Sequence, residues 1–108
     1  MAKTFDPNSE EWKINELLKE VIDPEIGVNI ADLGLIYGID FNEKEKSIHV
    51  DMTLSTPACP LGDVIIKNAR ETIERYYPEY KINIELVWEP AWSPEMVSDE
   101  GKAMLNMM

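Results

Sequence analysis

Cys59 is the only cysteine among 108 residues, and its side chain is both a nucleophile and a soft metal ligand. It stands in Thr56-Pro57-Ala58-Cys59-Pro60-Leu61-Gly62, between a stretch with strand alternation and one with helical spacing. Proline is favoured at the first helical position, where its missing N–H is not needed and its fixed φ is already helical. Pro60 in that position makes Cys59 the N-cap. A start at Pro57 would instead hold Cys59 in the α conformation directly before a proline, which is sterically disfavoured. At a cap, the backbone N–H groups of Leu61 and Gly62 lack intrahelical partners and can point at the sulfur, and the helix dipole favours a thiolate. Asp63 and the acidic balance of the chain act the other way. A cysteine of pKa about 8.5 is only a few per cent thiolate at pH 7, so a shift of about one unit changes its reactivity several-fold. The alternative for a lone cysteine is a small buried hydrophobe, although a core cysteine has no need of a helix terminus.

A soft thiolate selects iron-sulfur chemistry, copper(I) or zinc, but a closed site needs about four ligands and the chain offers one thiolate sulfur. Any metal held through Cys59 is therefore shared with another subunit, as in a homodimer, with another protein or with a small thiol. Sharing suits transfer rather than storage. Standard catalytic sets are missing: no phosphate-cradling glycine loop, no Gly-x-Ser-x-Gly elbow, and no second cysteine for a redox or zinc pair. His49, the one histidine, lies far back along its strand at about 3.3 Å per residue, which makes a cysteine-histidine dyad unpromising. It shares a wet strand face with Asp51. A lone strand histidine is usually an exposed surface residue, with a metal ligand as the less common reading.

The elements that position Cys59 follow from periodicity. Residues 1–7 are expected to fray, and Asn8 with Glu11 reads as a capping box. Ile14, Leu17, Leu18, Val21 and Ile22 then form one helical stripe, stopped by Asp23-Pro24. Residues 25–34 are more apolar than an exposed loop requires and should pack against something. Residues 35–41 and 47–54 read as strands joined by a charged hairpin loop, with Ile48, Val50, Met52 and Leu54 on one face and His49, Asp51 and Thr53 on the other. Such alternation means a sheet covered on one side. After Cys59, Leu61, Val64, Ile65, Ala69, Ile73 and Tyr76 mark the apolar side of a second helix that ends before Pro78. Ile82, Ile84, Leu86 and Trp88 alternate as a third strand, which a right-handed crossover makes parallel to the second if both share a sheet. The segment from Trp88 to Pro94 is extended, since each proline biases its predecessor away from helix. Ser93-Pro94 starts a short helix that Ser98-Asp99 could restart toward Leu105. The fold expected is an α/β (α+β) two-layer sandwich, helix-strand-strand-helix-strand, with a small mixed sheet and a short C-terminal helix. Trp88 and Trp92 read first as a lid over the core, and Met104, Leu105, Met107 and Met108 as a frayed apolar tail.

Composition bounds the rest. A length of 108 residues with 44% apolar content suits one domain over residues 1–108. Ten basic against 21 acidic residues give a net charge of -11, which repels phosphate backbones and anionic headgroups, so nucleic acid and membrane are poor partners. A KH-type RNA module would need a GxxG clamp and a basic face, and both are lacking. The single cysteine and a start without basic-then-apolar order point to a reducing, cytoplasmic setting. Residues 28–39, the most apolar stretch, are too short for a membrane span.

Four motifs occur in order: Asp23-Pro24-Glu25, Asp32-Leu33-Gly34-Leu35, Thr56-x-x-Cys59-Pro60, and Trp88-x-Pro90-x-Trp92 with the following Ser-Pro-Glu-Met. On these the chain resembles the SufT/PaaD-like family of metal-sulfur cluster biosynthesis proteins, nearer the short SufT-like factors. The resemblance implies an iron-sulfur cluster assembly-like fold and a non-enzymatic role in maturing or repairing iron-sulfur proteins. It also implies iron-sulfur carriers or clients as partners, and an iron-sulfur cluster or iron held transiently. Cys59 would be the functional thiol, beside Pro60 and surrounded by Asp23, Glu25, Asp32, Thr56 and Trp92. The runner-up is a protein-protein adaptor in which Cys59 is structural and the Trp-Pro segment binds the client.

Overall fold

Residues 9–24, 26–54 and 62–106 are described by a computed structural model of the protein. Ser9 caps the first helix, α1 (Glu10–Leu17), by accepting a hydrogen bond from the Trp12 N–H at 3.1 Å. The expected cap, Asn8, lies outside the described residues. The helix tightens into a 3-10 turn at Leu18–Glu20 and is extended by Val21, earlier than the apolar stripe suggests. Ile14, Leu18 and Val21 are buried, whereas Ile22 turns outward and is 48% exposed.

Three strands follow: β1 (Ile36–Asn42), β2 (Ser47–Met52) and β3 (Lys81–Leu86). The sheet order is β1-β2-β3, with β1 antiparallel and β3 parallel to the central strand. The hairpin turns through Lys46, at φ 53, and is steadied by the Asn42 side chain accepting from the Glu45 N–H. The parallel step is made by α2 (Gly62–Tyr76), the expected crossover helix. A 3-10 turn (Pro94–Met96) and α3 (Asp99–Asn106) complete the α+β arrangement. The segments 1–8, 55–61 and 107–108, with residue 25, lie outside the description, and with them the fraying expected at 1–7 and the tail residues Met107 and Met108.

One face of the sheet is dry because α1 packs on β1 and α2 on β3. Ile39, Ile48, Val50, Met52 and Ile82 meet Ile14, Leu18, Ile65, Ala69 and Ile73 there. The loop 28–35 does pack inward, with Val28, Ile30, Leu33 and Leu35 fully buried. Two sequence expectations for α2 change. Val64 and Tyr76 are about half exposed, and Thr72 is buried instead, because the helix touches the sheet along a stripe narrower than its apolar residues. Leu61, of the same expected stripe, lies outside the described residues. The opposite face carries Asp40, His49, Asp51, Asn83 and Glu85. Thr53 departs from that pattern. It lies beyond the end of β2, is 1% exposed, and its hydroxyl has no hydrogen-bond partner among the described residues. Trp88 likewise leaves the alternation of the third strand, past Leu86, and is 42% exposed.

Candidate functional site

Because β2 and β3 are parallel and β1 antiparallel, one end of the sheet gathers the end of β2, the end of β3 and the start of β1. Ligand sites in open α/β sheets favour the end where parallel strands finish. Leu54 leads out of this end and the described α2 begins beside it, since a Cβ on Gly62 would come within 2.7 Å of a Leu54 methyl. Thr56, Cys59 and Pro60, which come between these flanks in sequence, and Glu25 lie outside the described residues.

Of the expected site residues, Asp23, Asp32 and Trp92 are described; Asp32 and Trp92 are tied at the segment that leads into β1, and Asp23 lies in the turn joined to that segment by the Ile22–Asn29 bridge. Asp23 is 1% exposed. Its N–H donates to the Val28 carbonyl at 3.0 Å, while its own carbonyl accepts from Ile26 and from Gly27, at 3.2 and 2.7 Å. Gly27 closes this tight turn at φ 84, where a side chain would be strained. An isolated bridge between Ile22 and Asn29 and the Ile30 N–H to Val21 carbonyl bond then pin the loop to itself.

Asp32 joins that loop to the C-terminal segment. Its carboxyl accepts from the Asn29 amide at 2.7 Å and from the Ser98 hydroxyl at 2.8 Å. Its backbone N–H donates to the Asn29 side-chain oxygen and its carbonyl accepts from the Ser98 N–H. Ser98 in turn accepts from the Gly101 N–H at 3.0 Å, the N-cap contact expected for α3. A Cβ on Gly101 would meet Asp32, and one on Gly34, already at φ 79, would collide with the Met96 carbonyl oxygen, so both glycines permit the close approach.

Trp92 adds a second tie, its indole N–H donating to the Leu33 carbonyl at 2.6 Å while the ring packs on the core. The Tyr37 hydroxyl donates to the Pro90 carbonyl at 2.7 Å. Burial raises the Tyr37 pKa, so the donor form is retained. The lid reading thus holds for Trp92 alone of the two tryptophans. A groove of about 350 Å³ runs between Val21, Ile22 and α2 residues Asn68, Thr72 and Arg75, and contains none of the expected site residues.

On the open face, His49 has two partners. Its Nε2 is 2.8 Å from Asp51 Oδ1 and its Nδ1 is 2.8 Å from the Asn83 amide. Glu85 completes a set whose ligand atoms lie within 4.8 Å of one another. Strand alternation gave the His49–Asp51 pairing, but Asn83 and Glu85 join it only through the β2–β3 register, which single-strand patterns do not carry.

The α+β fold is shared with known proteins. The chain is 33% identical to a solved domain of unknown function, DUF59, from Bacillus anthracis, with a TM-score of 0.85 over 91% of this chain and 92% of that one. The family model described as "Iron-sulfur cluster assembly protein" matches residues 11–85, and the chain belongs to that family. A Porphyromonas gingivalis relative named "Fe-S protein maturation auxiliary factor" is 41% identical, over 91% of this chain and 92% of its own. The Staphylococcus aureus relative named "Fe-S protein maturation auxiliary factor SufT" is 34% identical over 81% of this chain and 98% of its own length.

Proposed function

We propose that this chain is an auxiliary factor in iron-sulfur protein maturation that handles iron or a cluster as cargo through Cys59. The observation that carries the reading is the match, over 92% and 98% of their own length, to relatives named for that role. The order of motifs supports it, because the family match spans the Asp23 loop, Asp32 and Cys59 together. Cys59 is the functional thiol, and Thr56, Pro60, Asp23 and Glu25 are the motif residues that serve with it. Asp32 and Trp92 act at one remove, holding the loop and the C-terminal segment in register at the same end of the sheet.

The protein is one domain and catalyses no turnover of its own. With a single thiolate per chain, cargo is ligated incompletely and is released to a client or taken from a carrier; a homodimer is one arrangement that supplies a second sulfur. Such exchange belongs in the reducing cytoplasm, where a lone thiol persists. Among the described residues no helix is long and apolar enough to cross a membrane.

The test is complementation. In cells lacking this chain, wild-type protein restores the activity and iron content of iron-sulfur enzymes and Cys59→Ser does not, although it accumulates to the same level. Full rescue by Cys59→Ser would move the function to an adaptor whose exposed Trp88 segment binds the client.

A further inference from the structure

We propose that the open face of the sheet carries an exchangeable site for a divalent first-row transition-metal ion, formed by His49, Asp51 and Glu85. The site as proposed draws no ligand from Cys59. Three donors of two kinds converge from two neighbouring strands, with the Nε2 of His49 2.8 Å from Asp51 Oδ1 and all ligand atoms within 4.8 Å. Metal bonds of about 2.0–2.2 Å at right to tetrahedral angles set ligand atoms about 2.8–3.6 Å apart, so the exposed Glu85 closes the set by swinging in by about 1–2 Å from the 4.8 Å limit.

The supporting shell is already in place. A metal-bound imidazole normally has its other ring nitrogen fixed by a neighbour, and Asn83 stands 2.8 Å from Nδ1. When the ion takes the Nε2 lone pair, the ring proton resides on Nδ1 and donates to the Asn83 amide, which turns its oxygen inward. Gly38 is paired with Asp51 on the adjacent strand, and even a Cβ there would lie 3.6 Å from Asp51 Oδ2. The absence of a larger side chain leaves the approach to Asp51 open. Charge favours a cation: Asp51 and Glu85 match a divalent ion, and Asp40 is paired with His49 on the same face. One imidazole with two carboxylates suits zinc, iron(II), cobalt(II) or manganese(II) better than magnesium or calcium, which prefer oxygen alone. An open outward side makes the ion exchangeable, as in sites that keep a free position.

The experiment titrates the full chain with Co²⁺, read by its visible absorption, and with Zn²⁺, read by calorimetry, in wild type, Cys59→Ser, His49→Ala, Glu85→Gln and Asn83→Leu. One ion per chain is expected in wild type and in Cys59→Ser. Binding should weaken at least about tenfold in His49→Ala and Glu85→Gln, and about tenfold in Asn83→Leu. Circular dichroism of each variant verifies folding, and excess Mg²⁺ should not displace the ion. Absence of saturable one-to-one binding, equal affinity in His49→Ala, or loss of binding in Cys59→Ser alone would overturn the site. So would equal displacement by Mg²⁺ in wild type and His49→Ala, the mark of a diffuse acidic surface.

Discussion

Asp32 takes part in four hydrogen bonds, two to Asn29 and two to Ser98, and so ties the loop before β1 to the start of α3. Replacing it by alanine leaves the Asn29 amide and the Ser98 hydroxyl without that carboxyl, and abandoned buried partners cost about 1–3 kcal/mol. Urea unfolding of Asp32→Ala should show that loss at unchanged m, and a change below about 0.5 kcal/mol would contradict the role. Thr53 predicts the opposite sign. Its buried hydroxyl has no partner among the described residues, so Thr53→Val should be neutral or stabilise by up to about 1 kcal/mol. Marked destabilisation in the same assay would show that the hydroxyl is satisfied. At this scale the sequence singled out Asp32 through its motif but not its partners, because Ser98 is 66 residues away and only the folded chain brings them together. Thr53 was misplaced for a related reason: alternation assigns a face, and beyond the last ladder pair the cover comes from elsewhere in the chain.

Helix α2 carries the crossover, and its contribution is concentrated in few residues. Ile65 is 1% exposed and Val64 47%, although both belong to the same apolar run. Ile65→Ala should cost about 2–5 kcal/mol and Val64→Ala under about 1 kcal/mol by denaturant unfolding; similar costs for the two would mean the contact stripe is wrong. The far end of α2 meets the beginning of α1 where the Tyr77 hydroxyl donates to Glu10 at 2.9 Å, beside the rings of Phe41 and Tyr80. Burial first, and then the Glu10 bond, push the Tyr77 pKa up to about 12, while the same bond and Lys13 lower that of Glu10. A tyrosine that binds its proton more tightly when folded contributes stability fully below its unfolded value of about 10, and loses it as pH climbs toward the folded one. The difference between alkaline absorbance titrations of wild type and Tyr77→Phe should therefore have its midpoint near 12, and a midpoint near 10 would contradict the burial. Periodicity made the helices, the hairpin and the parallel step legible, since each buries one face. Stripe width and the Ile22 turn were not, because they depend on how far a neighbouring element reaches.

On the scale of the whole molecule, the sheet topology sets the Asp32–Ser98 tie, Trp92 and both described flanks, Leu54 and Gly62, at one end, and places His49 on the open face. The central claim is that cargo passes through Cys59, and purified components address it most directly. Wild-type protein and Cys59→Ser, each loaded anaerobically with iron and sulfide, are mixed with an apo iron-sulfur client, and recovery of client activity is followed. The account predicts that wild type matures the client and that Cys59→Ser, although folded, gives no more recovery than free iron and sulfide. Equal recovery with both proteins would contradict it.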